Sequence, residues 1–382
     1  MAAGQTEFDI AIIGGGPAGS AAALALSRYT QRRVVLIERS DYGGMRVGES
    51  VSSGLTAVLA YLGLEHLLSD EKHLSAFGNV AAWGNATPAS RDFLFTAGGH
   101  GWFLDRAAFD ASLANAAERA GTCVLRDSNV LAAKFTSDLW DIKTHGQRLT
   151  AKQIIDATGR RSAIARASGA RRHAVDKLVG LVTWMSFGKP CHHPRTVLVE
   201  AVENGWWYSA PVPGDKLVVA YMTDADQLDR RLIGDSKRFL EFVSGAPLTF
   251  ARAANGVPVS PPRVWLAGSA TTIPCIGKGW IAAGDAAASF DPLSSLGIGY
   301  AMLSGIQAAR AVDHRLNGDE DLAAAYEGDV ARHMVGYLAQ RQELYRLEQR
   351  WPERPFWSRR HAVPAAGPAS MGSALASAEC PQ

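Results

Sequence analysis

The sequence has few of the features that mark metal-binding, secreted, membrane-spanning or nucleic-acid-binding proteins. Its four cysteines are scattered, with no Cys-x-x-Cys pair, so the sequence indicates neither a zinc site nor a disulfide framework. No apolar stretch approaches the roughly 20 residues of a membrane-spanning helix. Lys and Arg number 39 against 37 Asp and Glu. Because the charges nearly balance, the composition favours neither nucleic acid nor an acidic membrane as a partner. We therefore expect a cytoplasmic protein with reduced thiols and no metal.

The most informative stretch that is present lies near the start of the chain. An apolar run at 10–13 is typical of a buried parallel strand, a glycine cluster follows it, and a helix of small residues is predicted over 20–26. A second apolar run at 34–37 is followed by Glu38, at a position where a carboxylate accepts hydrogen bonds from ribose hydroxyls. Glycines spaced G-x-G-x-x-G allow a tight turn, the close approach of a pyrophosphate and close helix packing. The sequence thus predicts a dinucleotide-binding loop. Its candidate binding residues are Gly14, Gly16, Ala18, Gly19, Glu38 and Arg39.

Three later segments indicate which dinucleotide is bound. They are GWFLDRAAFDASLANAAERAG at 101–121, QIIDATGRRSAIAR at 153–166 and GWIAAGDAAASFDPLSSLGIGYAMLSGIQAA at 279–309. Together with the glycine loop, they resemble the Rossmann-type flavoprotein hydroxylases, the group that includes p-hydroxybenzoate hydroxylase. The resemblance implies FAD as the cofactor and an α/β fold, in which a Rossmann-type FAD-binding domain is interleaved with an antiparallel-sheet substrate domain. Asp156, in the second segment, is expected to shape a turn beside the pocket.

The same resemblance implies roles for five residues. Asp285 is expected to hydrogen-bond the ribityl chain or the ribose of an extended FAD. Gly297 and Ile298 are expected to place backbone amides near the flavin pyrimidine, where negative charge collects on reduction. Arg46 and Arg106 are expected to contact the pyrophosphate or the edge of the flavin.

Pattern and composition divide the chain into interleaved parts. Apolar segments at 181–187, 196–201, 205–212 and 217–223 predict strands of an antiparallel sheet, and 322–347 should form a long C-terminal helix. The predicted parts are FAD-binding segments at 5–75, 101–170 and 276–320, substrate-domain segments at 76–100 and 171–275, a C-terminal helical segment at 321–361 and a mobile tail at 362–382.

A narrower resemblance is to the flavin-dependent halogenases. It rests on three short strings: RVGES at 46–50, GWWYSAP at 205–211 and DPLSSLGIG at 291–299. The chain also departs from that group. Tyr208 stands in place of a tryptophan, and Leu296 in place of a threonine that helps to hold chloride. Counting eight residues back from Trp83, where halogenases carry a lysine, leads to Ser75. The departures favour an oxygenating enzyme on the same scaffold.

A third resemblance concerns the substrate. The strings GWWYSAPVPGDKLVVAYMTDAD and FGNVAAWG are similar to flavoproteins that mature tryptophylquinone oxidases of the lysine ε-oxidase and glycine oxidase type. This resemblance implies hydroxylation of a tryptophan still within a quinoprotein precursor. A small aromatic molecule is the other candidate substrate. The side chains expected at the substrate pocket are Trp184, Trp206, Trp207 and Tyr208, with Trp206 and Tyr208 on one face of their strand and Trp207 on the other.

Taken together, the resemblances imply an FAD monooxygenase that hydroxylates an electron-rich, indole-like ring through a flavin C4a-hydroperoxide. No second GxGxxG appears mid-chain, so electrons are expected from transiently bound reduced nicotinamide or from a flavin reductase. The alternatives are a flavin-dependent halogenase, a non-oxygenating FAD oxidoreductase and a non-catalytic flavin-binding assembly factor.

Overall fold

The computed structural model describes residues 6–69, 72–93, 98–188 and 193–362. The tail predicted to be mobile lies outside the described residues from position 363 onward. In chain order, the strands are β1 (Thr6–Ile13), β2 (Val34–Ile37), β3 (Ser50–Val51), β4 (His73–Ala76), β5 (Gly78–Ala82), β6 (Ala89–Asp92), β7 (Gly101–Leu104), β8 (Cys123–Leu125), β9 (Val130–Thr136), β10 (Leu139–Thr144), β11 (Arg148–Asp156), β12 (Arg171–Ala174), β13 (Leu178–Ser186), β14 (Thr196–Val202), β15 (Gly205–Val212), β16 (Lys216–Asp224), β17 (Val257–Pro258), β18 (Arg263–Leu266), β19 (Ala270–Ile273), β20 (Ile276–Gly277), β21 (Trp280–Ala282) and β22 (Ala288–Ser289).

The helices pack on these strands from both sides. In chain order they are α1 (Pro17–Tyr29), α2 (Leu55–Tyr61), α3 (Arg106–Arg119), α4 (Ala163–Ala167), α5 (Ser236–Val243), α6 (Pro247–Ala253), α7 (Gly297–Leu316), α8 (Asp321–Arg346) and α9 (Pro355–His361).

The first large sheet carries the glycine loop. Its strand order is β20-β21-β11-β1-β2-β8, and β1 runs parallel to both β11 and β2. The hairpin β9–β10 joins the sheet antiparallel to β11. Strand β1 is apolar from Ile10 to Ile13, and all four residues are buried in a core that also contains α1 and α7, which pack against each other. The predicted strands at 10–13 and 34–37 are confirmed, and β1 begins four residues earlier than expected.

The second large sheet is almost entirely antiparallel. Its order is β17-β13-β16-β15-β14-β5-β6, with β18 also paired to β13. The four strands predicted between 181 and 223 form β13 to β16, each within three residues of its predicted ends. Strand β5, from the substrate-domain segment predicted at 76–100, pairs in parallel with β14. The interleaved α/β fold is therefore confirmed, while the exact bounds of the predicted parts stay a prediction.

The second sheet has different neighbours on its two faces. One face packs against the C-terminal residues Tyr345, Phe356 and Trp357, and the other against α5 and α6. The C-terminal helix predicted at 322–347 is α8, and a buried ion pair then ties α9 to the sheet, with Arg360 Nη2 2.8 Å from Asp224 Oδ1. The core thus extends on both sides of the second sheet, and an opening remains where this sheet faces the first.

Candidate functional site

A cavity of about 290 Å³ lies between the two large sheets. One end is lined by the glycine loop and by loops that follow strands of the first sheet, and the other end by one face of the second sheet. Ligands of open α/β sheets bind outside the carboxyl ends of the strands. The position of this cavity is therefore typical of a cofactor site that continues into a substrate site.

The three glycines of the loop serve different purposes. Gly14 has a φ of +106°, and a Cβ there would overlap the carbonyl oxygen of Ala157. A Cβ on Gly19 would overlap the carbonyl oxygen of Gly14, so these two glycines are required for packing. Gly16 lines the cavity, and a Cβ added to it would meet nothing within 4 Å. The fold itself does not need a glycine at position 16, but a group bound in the cavity against that backbone would.

Helix α1 starts at this open position. It has Gly16 as its N-cap, no side-chain cap and Pro17 in its first turn, and the first amides of a helix have no partner within it. Pro17 and Ala18 also line the cavity. Exposed amides at a helix N-terminus bind phosphate groups. The loop could therefore hold a pyrophosphate.

Glu38 is held against the glycine loop at the end of β2. It is buried, and its Oε2 accepts the Gly15 backbone N–H at 2.7 Å. Its Oε1 accepts the Ser40 backbone N–H at 3.0 Å and also faces Arg46, whose Nη2 lies 3.8 Å away. Arg39, predicted beside Glu38, is exposed. The structure therefore brings Glu38 to the loop and leaves Arg39 at the surface.

Arg46 and Arg106 converge on one carboxylate. Asp110 is fully buried, and Arg106, one helical turn before it on α3, donates to both of its oxygens at 3.1 and 3.0 Å. Arg46 donates to the same Asp110 at 3.1 Å. Arg106 lines the cavity, whereas Arg46 is not among the lining residues and lies beside Glu38. Sequence reasoning missed Asp110, although its i+4 spacing from Arg106 on a predicted helix could have indicated it.

Asp285 lies in the turn after β21 and lines the cavity. Its Oδ2 is 3.3 Å from Nε of Arg160, which also donates to the carbonyl oxygens of Gly268 and Phe290. Arg160 lines the cavity as well and was not singled out from the sequence. Asp285 thus faces the cavity with an arginine fixing its orientation.

The N-terminus of α7 closes the same side of the cavity. Gly297 and Ile298 both line it, and α7 begins without a side-chain cap. Its amides are therefore available to a negatively charged or electron-rich group. Asp156 instead accepts the amides of Ile164 and Ala165 at 2.9 Å each, which is the turn-shaping role expected from the sequence.

The end of the cavity at the second sheet is mostly apolar. Its lining residues there are Gly180, Val182, Tyr208, Val218, Ala220, Met222 and Trp265. Of the four aromatic residues expected at a substrate pocket, the structure places Tyr208 on the wall. Trp265 is an aromatic residue that sequence reasoning missed, and it comes from β18, at the edge of the sheet.

The three predicted tryptophans lie elsewhere, which corrects the expectation. Trp206 is buried, with its Nε1 donating to the Tyr345 hydroxyl at 3.0 Å. Trp207 packs on the opposite face against Tyr221 and Phe239. Trp184 belongs to the same buried cluster as Trp206. The strand alternation was predicted correctly, but large side chains fill the two cores, and the small residues of neighbouring strands leave the opening.

Glu49 is a buried acid that lines the cavity. It is 4% exposed, its Oε2 accepts the Gly48 N–H at 3.2 Å, and its Oε1 has no hydrogen-bond partner among the described residues. Burial raises the pKa of Glu49 to about 7, against the opposing effect of Arg106. Burial also raises the pKa of Tyr208 well above its usual value, and the nearby Glu49 adds to that shift. The cavity therefore contains a carboxyl group that titrates near neutral pH.

These residues fit an extended FAD. Gly16 leaves room for a pyrophosphate over α1, Glu38 is held at the end of β2 against the same loop, and Asp285 lines the cavity. The apolar end at the second sheet is left for a further ring.

Comparison with known proteins identifies the family. Residues 9–177 match the family of FAD dependent oxidoreductases. Over 370 residues the chain is 33% identical to LodB of Marinomonas mediterranea, an FAD-dependent oxidoreductase by its name, and the match covers 94% of this chain and 98% of LodB. The chain belongs to the FAD-dependent oxidoreductases, and its cofactor is FAD.

Solved structures share the fold at lower identity. The myxobacterial chondrochloren halogenase CndH, an FAD-dependent halogenase, has a TM-score of 0.86 at 24% identity, over 97% of this chain and 89% of CndH. QhpG, a peptidyl tryptophan dihydroxylase essential for tryptophylquinone cofactor biogenesis, has a TM-score of 0.76 at 22% identity, over 94% of this chain and 80% of QhpG. The predicted resemblance to FAD-binding flavoproteins is confirmed by the family match, and these structures share the fold. In the part of the chain that the structure describes, no helix has the length and apolarity to cross a membrane.

Proposed function

We propose that this chain is an FAD-dependent monooxygenase that hydroxylates an electron-rich, indole-like ring, and that its substrate is a tryptophan within a precursor protein. The observation that carries the proposal is one continuous cavity. It joins the open backbone at Gly16 and the carboxylate of Asp285 to an apolar chamber containing Glu49 and Tyr208. Reduced FAD, when bound, supplies the activation of dioxygen.

The chain's own residues would bind, orient and exclude water. The amides of α1 and the backbone at Gly16 would hold the pyrophosphate, while Val182, Val218 and Ala220 would present an apolar wall to the substrate ring. Oxygen transfer to an aromatic ring leaves positive charge on the ring until a proton departs. Glu49, with a pKa of about 7, can stabilise that charge and accept the proton at neutral pH.

The overall stoichiometry shows that the reaction needs an electron donor as well as a substrate. One O₂ and two electrons with two protons give a hydroxylated ring and one water. The electrons come from reduced nicotinamide or a flavin reductase. The likeness to QhpG, a peptidyl tryptophan dihydroxylase, supports a protein-bound tryptophan as the substrate.

Halogenation is the second candidate, favoured by the TM-score of 0.86 to CndH. The cavity supports hydroxylation instead, because the described residues that line it include no lysine. Ser75, where the halogenase resemblance requires one, lies in β4. Leu296, in place of the chloride-holding threonine, packs partly buried against the core.

Labelled dioxygen distinguishes the two candidates. The FAD-loaded protein, a reductant and a tryptophan-bearing peptide are incubated with labelled O₂, with chloride and bromide present, and the peptide is analysed by mass spectrometry. We expect one labelled oxygen atom on the tryptophan, and no product when FAD is withheld. Halogenated peptide, or a hydroxyl group that carries oxygen from water, would contradict the proposal.

A further inference from the structure

Two buried polar atoms of the cavity residues lack a hydrogen-bond partner within the described residues. They are Oε1 of Glu49 and Nε1 of Trp265, and both residues line the cavity. Buried polar groups in folded proteins almost always have partners, and leaving one unpaired is unfavourable. An unpaired acceptor and an unpaired donor in one chamber indicate a ligand that carries both a donor and an acceptor.

The free oxygen of Glu49 faces a limited choice of partners within the protein. Its other oxygen accepts the Gly48 amide. Arg106, the nearby cation, already donates to Asp110 and to the carbonyl oxygens of Val47 and Gly48. With 4% exposure, Glu49 is also largely closed to solvent. A ligand N–H or O–H is therefore the group that would satisfy Oε1.

Trp265 requires the opposite kind of group. Its indole nitrogen can only donate, so its partner must be an acceptor such as a carbonyl oxygen. It pairs with Gly180 at the edge of the second sheet. Leu266, the next residue along the strand, also lines the cavity and is 68% exposed. Trp265 therefore stands near the rim of the chamber, whereas Glu49 is buried within it.

The walls between these two groups favour a flat apolar ring. Val182, Val218, Ala220 and Met222 line this part of the cavity and offer no charged group. A ligand that fills the chamber would meet Glu49 with a ring donor and Trp265 with an acceptor close to the point where the ring is attached.

We propose that Glu49 and Trp265 form a pair that selects the substrate: Glu49 Oε1 accepts the ring N–H of a tryptophan, and Trp265 Nε1 donates to a carbonyl oxygen of that residue's peptide backbone. This inference rests on the proposed function and narrows it. The substrate is an indole with an amide carbonyl near its attachment point, which an amide-linked tryptophan has and a free indole lacks.

The test measures binding alone, with oxidised FAD-loaded protein and no reductant. Calorimetry gives the affinities of three probes: N-acetyltryptophanamide, the same compound methylated on the indole nitrogen, and skatole, which has the ring without the carbonyl. We expect the wild type to prefer N-acetyltryptophanamide over its methylated form by about 10-fold or more, because a hydrogen bond to a charged group has that magnitude. Glu49→Leu should abolish this preference, and Glu49→Gln, which keeps an acceptor oxygen, should retain part of it.

Trp265→Phe provides the complementary change. It should lower the affinity for N-acetyltryptophanamide by about 3- to 10-fold, the range for a neutral hydrogen bond, and leave the affinity for skatole unchanged. Trp351→Phe, a half-buried tryptophan outside the cavity lining, is the matched control and should change none of the three affinities.

Three results would overturn the inference. They are equal wild-type affinity for the methylated and unmethylated probes, an equal effect of Trp265→Phe on skatole, and loss of FAD by Glu49→Leu, which would make Glu49 a cofactor contact. Since binding is measured without turnover, these results leave the oxygenation test independent. Oxygen incorporation without probe selectivity would reject only this inference, and selectivity without oxygen incorporation would reject only the proposed function.

Discussion

Replacing Gly16 by alanine should separate folding from cofactor binding. Gly16 has φ −71° and ψ −173°, an extended conformation that alanine adopts readily, and the added Cβ would meet nothing within 4 Å. A Gly→Ala change at such a site stabilises the fold by about 0.4–1 kcal/mol through the unfolded chain. The apoprotein should therefore be as stable as the wild type or slightly more stable.

The same methyl group should displace FAD. It would project into the cavity beside the N-terminus of α1, where the pyrophosphate is expected. Losing one or two hydrogen bonds between amides and a charged phosphate weakens binding by about 2–5 kcal/mol, which corresponds to roughly 30-fold to several thousand-fold. The two effects have opposite signs, so general damage to the fold cannot imitate them.

Two further glycine variants serve as controls. Gly14→Ala should destabilise even the apoprotein, because Gly14 has φ +106° and its Cβ would overlap Ala157. Gly146→Ala, at an exposed glycine with open space around it, should change neither property. Urea unfolding of the apoproteins and calorimetric FAD titration measure both. Wild-type FAD affinity in Gly16→Ala, or an unfolded Gly16→Ala apoprotein, would refute the reasoning.

Three other changes have distinct expected outcomes. Ala220→Phe fills the apolar end of the cavity, so the variant should retain bound flavin but bind N-acetyltryptophanamide about 10-fold or more weakly. Unchanged affinity for this probe would contradict the assignment of the apolar end to the substrate ring. Glu49→Gln should remove a pH dependence of apoprotein stability. The pKa of Glu49 in the native state, about 7, lies above its value in the unfolded chain. At pH values between these two pKa values, the native state therefore binds more protons than the unfolded state. Wild-type stability should therefore fall relative to the variant, by up to ~3 kcal/mol, as pH rises from acidic to slightly alkaline, and a pH-independent difference in urea unfolding would disprove the shift. Asp110→Ala leaves Arg46 and Arg106 without their shared carboxylate, so the free energy of unfolding should fall by about 3 kcal/mol; a loss within error in the same assay would mean that the arginines find other partners.

The sequence predicted those parts of the fold and site that depend on local pattern. The loop around Gly14, Gly16 and Gly19 needs residues of one short segment, and its strand, turn and helix follow from that segment alone. The alternation along β15 likewise separated Trp207 from Trp206 and Tyr208. In both cases the backbone period determines which side chains share a face.

The remainder of the site depends on contacts between distant segments. Arg46 and Arg106 were each expected at the cofactor, but their meeting on Asp110 is a tertiary contact. Arg160 and Trp265 reach the cavity from strands and turns that no spacing rule connects. Trp206 was likewise expected at the substrate pocket, whereas packing places it in the core.

The most direct test of the central claim is a crystal structure of the protein with FAD bound. The account predicts the pyrophosphate against Gly16 and the first turn of α1, the adenosine ribose at Glu38, and the flavin between Asp285 and the start of α7. It also predicts that the chamber formed by Glu49, Tyr208 and Trp265 stays open in front of the flavin ring. A flavin that fills that chamber, or a pyrophosphate bound away from Gly16, would contradict the account.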